Sequence, residues 1–212
     1  MLTDPKEIAI IAGARQKNVR DPRRSREHFH RILEDFFAGV PLGGRYLDMG
    51  PGQYDFGMLV REEGGHCFGI DNDPAVIALG AYKGFETRQM RIQELVFEGL
   101  GQTFDGVFNK FTLNAFWDHE TPGAHAALIN AIVRHMSPEA WAWIGPWNGV
   151  PKQSPLAPHD ILRLLGEQRV QFEHHGFTTC ILSDDEARHY GIHGSVANNV
   201  VFLKNLVWRR KR

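Results

Sequence analysis

At 212 residues, with 42% apolar and 23% charged side chains, the chain has the size and mixture of one ordinary soluble domain, which excludes a disordered or fibrous polymer. A formal net charge of -1 gives no overall pull toward nucleic acid, where affinity needs many basic groups to neutralise phosphates. The locally basic stretches RQKNVRDPRRSR and RRKR read as solvated faces or tails.

No run approaches the roughly 20 apolar residues of a membrane-spanning helix, so no membrane partner is expected. The opening MLTDPKEIAIIAGARQK has too short an apolar stretch for a secretory leader, and acids rather than bases in front of it. Cys67 and Cys180, the two cysteines, sit in apolar, strand-like settings. They read as buried thiols in a reducing compartment, and a cytoplasmic location is the expectation.

In chain order, SREHFHRILEDFFAGV places Phe29, Ile32, Leu33, Phe36 and Phe37 at helical spacing, with Ser25 as its cap. This amphipathic helix, with the basic segment before it, makes residues 1–40 a unit ahead of the main domain at 41–212, either a lid over a ligand pocket or a helix completing the core on one face. PLGG breaks the helix. Apolar strand-like runs then alternate with helical ones: RYLDM, DFGMLVREE, HCFGID, PAVIALGAY, ETRQMRI, FDGVFNKF, GAHAALINAIVRHM, AWAWIGP and DILRLLGEQRVQFEHH. Such alternation predicts a mostly parallel sheet with helices on both faces. FTTCIL and NVVFLKNLVW close the chain as two strands with no evident helix between them, an antiparallel pair at the sheet edge. Seven strands result, in a Rossmann-like arrangement. In such open sheets ligands sit beyond the carboxyl ends of the strands, where strand order reverses.

The first strand runs into YLDMGPGQYDFG, residues 46–57, whose DxGxGxY pattern is formed by Asp48, Gly50, Gly52 and Tyr54. A second acid, Asp71 in GIDND, ends the next strand about 20 residues beyond the turn, the spacing at which a carboxylate reaches both hydroxyls of a ribose lying over that turn. Asp71 as a mere helix cap for PAVIALGAY is the bland alternative. A nucleoside cofactor is implied. A dinucleotide calls for GxGxxG beside its pyrophosphate, but the third place here is Asp55, an acid that would oppose a phosphate. S-adenosylmethionine has no phosphate, and its amine and sulfonium are cationic. Asp48 at the strand end suits that cationic end, directly or through water.

On these residues the chain resembles the class I S-adenosylmethionine-dependent methyltransferases over roughly residues 40–207. The family motif reads acid-x-Gly-x-Gly-x-Gly; Asp48, Gly50 and Gly52 match, and Tyr54 replaces the last glycine. The resemblance implies that the turn Gly50, Pro51, Gly52, Gln53 and Tyr54 contacts the methionine part, that Asp71 takes the ribose hydroxyls, and that Asn72 lies beside the adenine. After the third strand the family often has an acid or amide near the adenine amino group, whereas this chain has Arg91, Ile92 and Gln93. Arg91 cannot accept a hydrogen bond, which leaves a backbone carbonyl or Gln93.

By the same resemblance the fourth strand end, NKFTLNAFWDHE, faces cofactor and acceptor, so Asn109 and Lys110 open the reaction chamber. Nitrogen-methylating nucleic-acid enzymes of the family often carry Asn/Asp-Pro-Pro-aromatic here; NKFT departs from that and argues against a base amino group as acceptor. Phe116 and Trp117 either wall the pocket or pack a helix onto the sheet. Asp118, His119 and Glu120 read as helix caps and dipole partners in preference to metal ligands, so no metal is expected. Trp141 and Trp143 share one structural face, while Trp147 and Asn148 lie beyond the fifth strand and border the acceptor. PWNGVPKQSPLAP is long enough to serve as a lid or substrate loop.

Methyl transfer demands alignment more than acid catalysis. A hydroxyl acceptor benefits from a general base, for which His119 and His193 are the candidates beside Lys110; an amine needs only its lone pair. The expected function is methylation of an oxygen or nitrogen on a small molecule. The alternative is a catalytically idle module that binds the same cofactor and regulates or interacts. The oligomeric state stays open, a homodimer included.

Overall fold

The computed structural model describes residues 4–13, 22–37, 40, 42–110, 123–147, 158–192 and 200–205. Seven strands form one sheet: β1 (Arg45–Met49), β2 (His66–Asp71), β3 (Glu86–Gln89), β4 (Phe104–Lys110), β5 (Met136–Trp147), β6 (Thr178–Ile181) and β7 (Val200–Lys204). Their order is β3-β2-β1-β4-β5-β7-β6. β1 to β5 are mutually parallel, whereas β7 runs antiparallel to β5 and to β6. Order reverses between β1 and β4, so a crevice opens at their carboxyl ends.

Seven helices are described: α1 (Pro5–Ala12), α2 (Pro22–Phe37), α3 (Asp55–Glu62), α4 (Pro74–Tyr82), α5 (Ala124–Arg134), α6 (Pro158–His174) and α7 (Asp184–His189), with a 3-10 turn at Ile92–Val96. The central strands are apolar on both faces because helices cover both. One face packs Leu47, Met49, Ile70, Val107, Ala142 and Phe202 against α5 and α6. The other packs Tyr46, Phe108, Trp141, Trp143 and Val201 against α2, α3 and α7. Fully burying an aromatic or aliphatic side chain contributes about 1.5–3 kcal/mol, so the second face, built largely of rings, is heavily stabilised.

The periodicity of α2 finds its partner there. Phe36 meets Trp143 edge-on at 4.9 Å, Phe37 lies 4.5 Å from Trp141 and Phe29 is 5.3 Å from Phe108. The helix is therefore part of the same core as the sheet. It begins at Pro22, three residues before the expected cap; Ser25 falls inside the helix and is buried. Proline already has the φ a first turn needs and lacks the N–H that would be orphaned there.

Three other features differ from the sequence expectation. α1 was not anticipated. It docks on α4, with Ile10 against Leu79 and the Tyr82 hydroxyl donating to Asp4 at 2.7 Å. α7 interrupts the closing strand pair: Ser183 accepts from the Glu186 N–H while Glu186 accepts from the Ser183 N–H, a reciprocal cap that sustains a six-residue helix with Ala187 as its buried member. Cys67 is buried as expected, but Cys180 on β6 is only partly covered, because β6 forms the sheet margin. No described helix is long and apolar enough to cross a membrane.

Candidate active site

The β1 tip turns sharply. The Gly50 N–H continues the ladder by donating to Ile70 O at 2.9 Å, and the Tyr54 N–H closes the turn on Pro51 O at 2.8 Å. Gly50 and Gly52 have φ of 80° and 55°. Around Gly52 a Cβ would meet nothing within 4 Å, so the left-handed backbone, not crowding, selects glycine there. Tyr54 also has a left-handed φ of 64°, a conformation costing a non-glycine residue about 1–2 kcal/mol. The residue standing where the family motif has its last glycine thus holds a left-handed backbone. The Tyr54 ring does not face the crevice, however: it is fully buried and stacks on Phe85 at 5.0 Å. Of the turn expected to touch the methionine part, Tyr54 thus offers backbone only.

Acids gather around this turn. Asp48 is 3% exposed, and no hydrogen-bond donor among the described residues serves its carboxylate. Burial, then the negative charges of Asp71 and Asp55, push its pKa well above the usual aspartate value. Asp55 is buried at the first position of α3, where a carboxylate complements the helix dipole and opposes any bound phosphate. Asp71, at the β2 tip, is half-buried. It accepts from the Asp73 N–H at 2.8 Å, and desolvation raises its pKa. Asp73, not Asp71, caps α4, accepting from the Ala75 N–H at 2.9 Å. The bland role considered for Asp71 belongs to its neighbour. Asn72 is exposed beside it.

Across the crevice, Asn109 is fully buried and its Nδ2 donates to Met49 O at 2.6 Å, stapling the β4 tip to the β1 tip. Lys110, the next residue, turns to the opposite face. Its Nζ donates to Tyr190 O at 2.7 Å and lies 4.8 Å from the Phe29 ring centroid. A cation at the last carbonyls of α7 complements that helix end. α2 holds the same end: Arg31 donates to His189 O at 3.1 Å, and the Tyr190 hydroxyl donates to Asp35 at 2.8 Å. The Lys110 amine, expected to open the reaction chamber, is engaged with the end of α7.

Beyond the β3 tip, Arg91 opens the 3-10 turn with its N–H donated to Glu94 at 2.8 Å and its side chain exposed. Ile92 is packed in the core against Met90 and Leu95, leaving its backbone and the half-buried Gln93 at the strand end. Trp147 ends β5, paired with Val200. Phe116, Trp117, His119, Asn148 and His193 lie outside the described residues. Among the described residues no group of three or more His, Cys, Asp or Glu side chains converges to hold a metal.

Lys83 escaped the sequence reading. Its Nζ donates to Gln53 O in the glycine turn at 3.0 Å and pairs with Glu7 of α1 at 3.5 Å. It bridges α1 and the turn. Its one local signal is the Lys83-Gly84 helix stop; the partner 30 residues away is invisible to pattern.

No family model matches the sequence, and neither does any curated protein. Solved structures do match in fold. DesVI of Streptomyces venezuelae superposes with a TM-score of 0.58 at 13% identity, over 87% of this chain and 92% of that one. CalS10, described as an amino pentose methyltransferase from Micromonospora echinaspora and solved with S-adenosylmethionine bound, gives 0.56 at 16% identity over 96% and 97%. The magnesium protoporphyrin IX methyltransferase ChlM of Synechocystis, also with the cofactor bound, gives 0.55 at 15% over 93% and 88%. The architecture is that of the class I S-adenosylmethionine-dependent methyltransferases.

Proposed function

We propose that this protein is an S-adenosylmethionine-dependent methyltransferase acting on a small-molecule oxygen or nitrogen. The observation that carries the reading is Asp48: a carboxylate 3% exposed, without a donor among the described residues, beside a left-handed glycine turn and across from a second acid at the next strand tip. A buried, unpaired acid in acidic company is costly unless a cationic ligand completes it. The residues present fit a ligand with a cationic amine and a ribose, and they oppose one with a pyrophosphate.

When bound, S-adenosylmethionine supplies a methyl group on a sulfonium centre. The chain's own task is to orient and enclose. Asp48 attracts the amine, Gly50 and Gly52 permit close approach of backbone, and Asp71 accepts from ribose hydroxyls. Asn109 fixes the β1–β4 crevice at its floor, and the acceptor chamber opens beyond the β4 and β5 tips toward Trp147. Alignment of reactants can contribute about 7–11 kcal/mol to such a displacement, so no strong acid is required. CalS10, an amino pentose methyltransferase, and ChlM, a magnesium protoporphyrin IX methyltransferase, act on small molecules, in keeping with this reading.

Calorimetric titration with S-adenosylhomocysteine and with NAD tests the cofactor. Binding of the former and not the latter is expected; the converse outcome refutes the reading. Incubation with methyl-labelled cofactor and fractionated metabolite pools then tests catalysis, since an idle binding module transfers no label.

A further inference from the structure

A turn with two left-handed glycines is locally permissive, yet this one must present a fixed backbone. Glycine is the most permissive residue, and a Cβ at Gly52 would touch nothing. The side chain at the end of the turn does the opposite. The Tyr54 ring fits a slot whose walls are two other glycines: a Cβ on Gly69 of β2 would fall 2.7 Å from Tyr54 Cε1, and one on Gly80 of α4 would fall 2.3 Å from its hydroxyl oxygen. Phe85 closes the slot by stacking at 5.0 Å with an interplanar angle of 10°. Gly69 stands two residues before Asp71 on the same strand, so the ring rests on the strand that carries the ribose acid while its own backbone ends the turn. Meanwhile Tyr54 stays in a left-handed conformation that a non-glycine residue keeps only when its surroundings over-determine it. Its buried hydroxyl has no hydrogen-bond partner among the described residues, so it is the shape of the ring, not a polar contact, that the slot holds.

We propose that Tyr54 is a positioning residue for cofactor binding: its ring, keyed between Gly69 and Gly80, sets the backbone of the glycine turn and its register against Asp71. This rests on the methyltransferase reading above. Replacing Tyr54 with the glycine of the family motif relaxes the backbone but removes the key. The native residue would then be required for binding although the motif favours the substitute.

The test is titration of S-adenosylhomocysteine into the wild type, Tyr54→Gly, Tyr54→Phe, Gly80→Ala and Phe37→Ala, each well below its melting midpoint as judged by circular dichroism. Tyr54→Gly and Gly80→Ala, the latter driving a methyl into the slot, should bind about tenfold more weakly or worse, with the conservative Tyr54→Phe rescuing affinity to within about threefold of wild type. Tyr54→Phe should also melt higher, because the orphaned hydroxyl is gone. Phe37→Ala opens a cavity in the same aromatic cluster away from the turn; it should melt lower with unchanged affinity. Wild-type affinity in a folded Tyr54→Gly, or an equal loss in Phe37→Ala, overturns the proposal. Should Tyr54→Gly not fold, Gly80→Ala decides alone, and wild-type affinity there overturns it. A wild type that does not bind at all refutes the methyltransferase reading instead.

Discussion

Two clusters of polar groups behave in opposite ways. At the β1 and β2 tips, Asp48, Asp55 and Asp71 crowd one sign of charge, and among the described residues Asp48 has no donor to answer it. At the α2–α7 junction, Lys110, Arg31, Asp35 and Tyr190 each find a partner within the fold. Satisfied networks add rigidity, whereas an unanswered buried charge marks a place completed from outside.

Lys110→Ala breaks the comparison most severely if the junction is scaffold. It leaves the Tyr190 carbonyl without its charged donor and should lower the free energy of unfolding by about 1.5–3 kcal/mol in urea melts, with affinity for S-adenosylhomocysteine unchanged. Loss of affinity without loss of stability would move Lys110 back into the site. Asp71→Ala is the mirror experiment: affinity should fall by about 1–3 kcal/mol through lost bonds to ribose hydroxyls while the melt barely moves. Equal affinity would refute the ribose assignment.

The acid cluster also sets a pH dependence. The folded pKa of Asp48 lies well above its ordinary value of 3.8, so between those values folding takes up a proton. Stability of the unliganded protein should therefore fall as pH rises from about 4 through the raised pKa. Affinity for a ligand bearing a cationic amine should rise over the same range. Asp48→Asn should flatten both trends and stabilise the free protein above that window; parallel thermal melts and titrations from pH 4 to 9 read the two signs separately. The smallest effect is expected at Lys83. Lys83→Met removes the bond to Gln53 O and the pairing with Glu7, for about 0.5–1.5 kcal/mol in affinity or stability, and should raise protease sensitivity at α1.

What was legible in the sequence was local. Asp48, Gly50 and Gly52 lie within five residues and Asp71 ends the next strand, so their shared location follows from strand alternation alone. The parallel sheet and its antiparallel close were legible for the same reason. Partnerships that cross the fold were not. Tyr54 looked like part of the ligand surface because its slot is made by Gly69 and Gly80, which pattern reading takes for ordinary strand and helix glycines. The bond from Lys110 to the Tyr190 carbonyl was hidden as well, because that carbonyl lies 80 residues on at the end of a helix too short to show a period.

The two margins of the sheet, β3 and β6, are each only four residues long. Unpaired N–H and C=O groups along a margin are a template on which a second chain can polymerise, and brevity is one of the means by which proteins disarm it. Even with Ile181 largely exposed at the outer strand, so short a rim offers a stray chain few rungs to climb, which favours a protein that stays dispersed when concentrated.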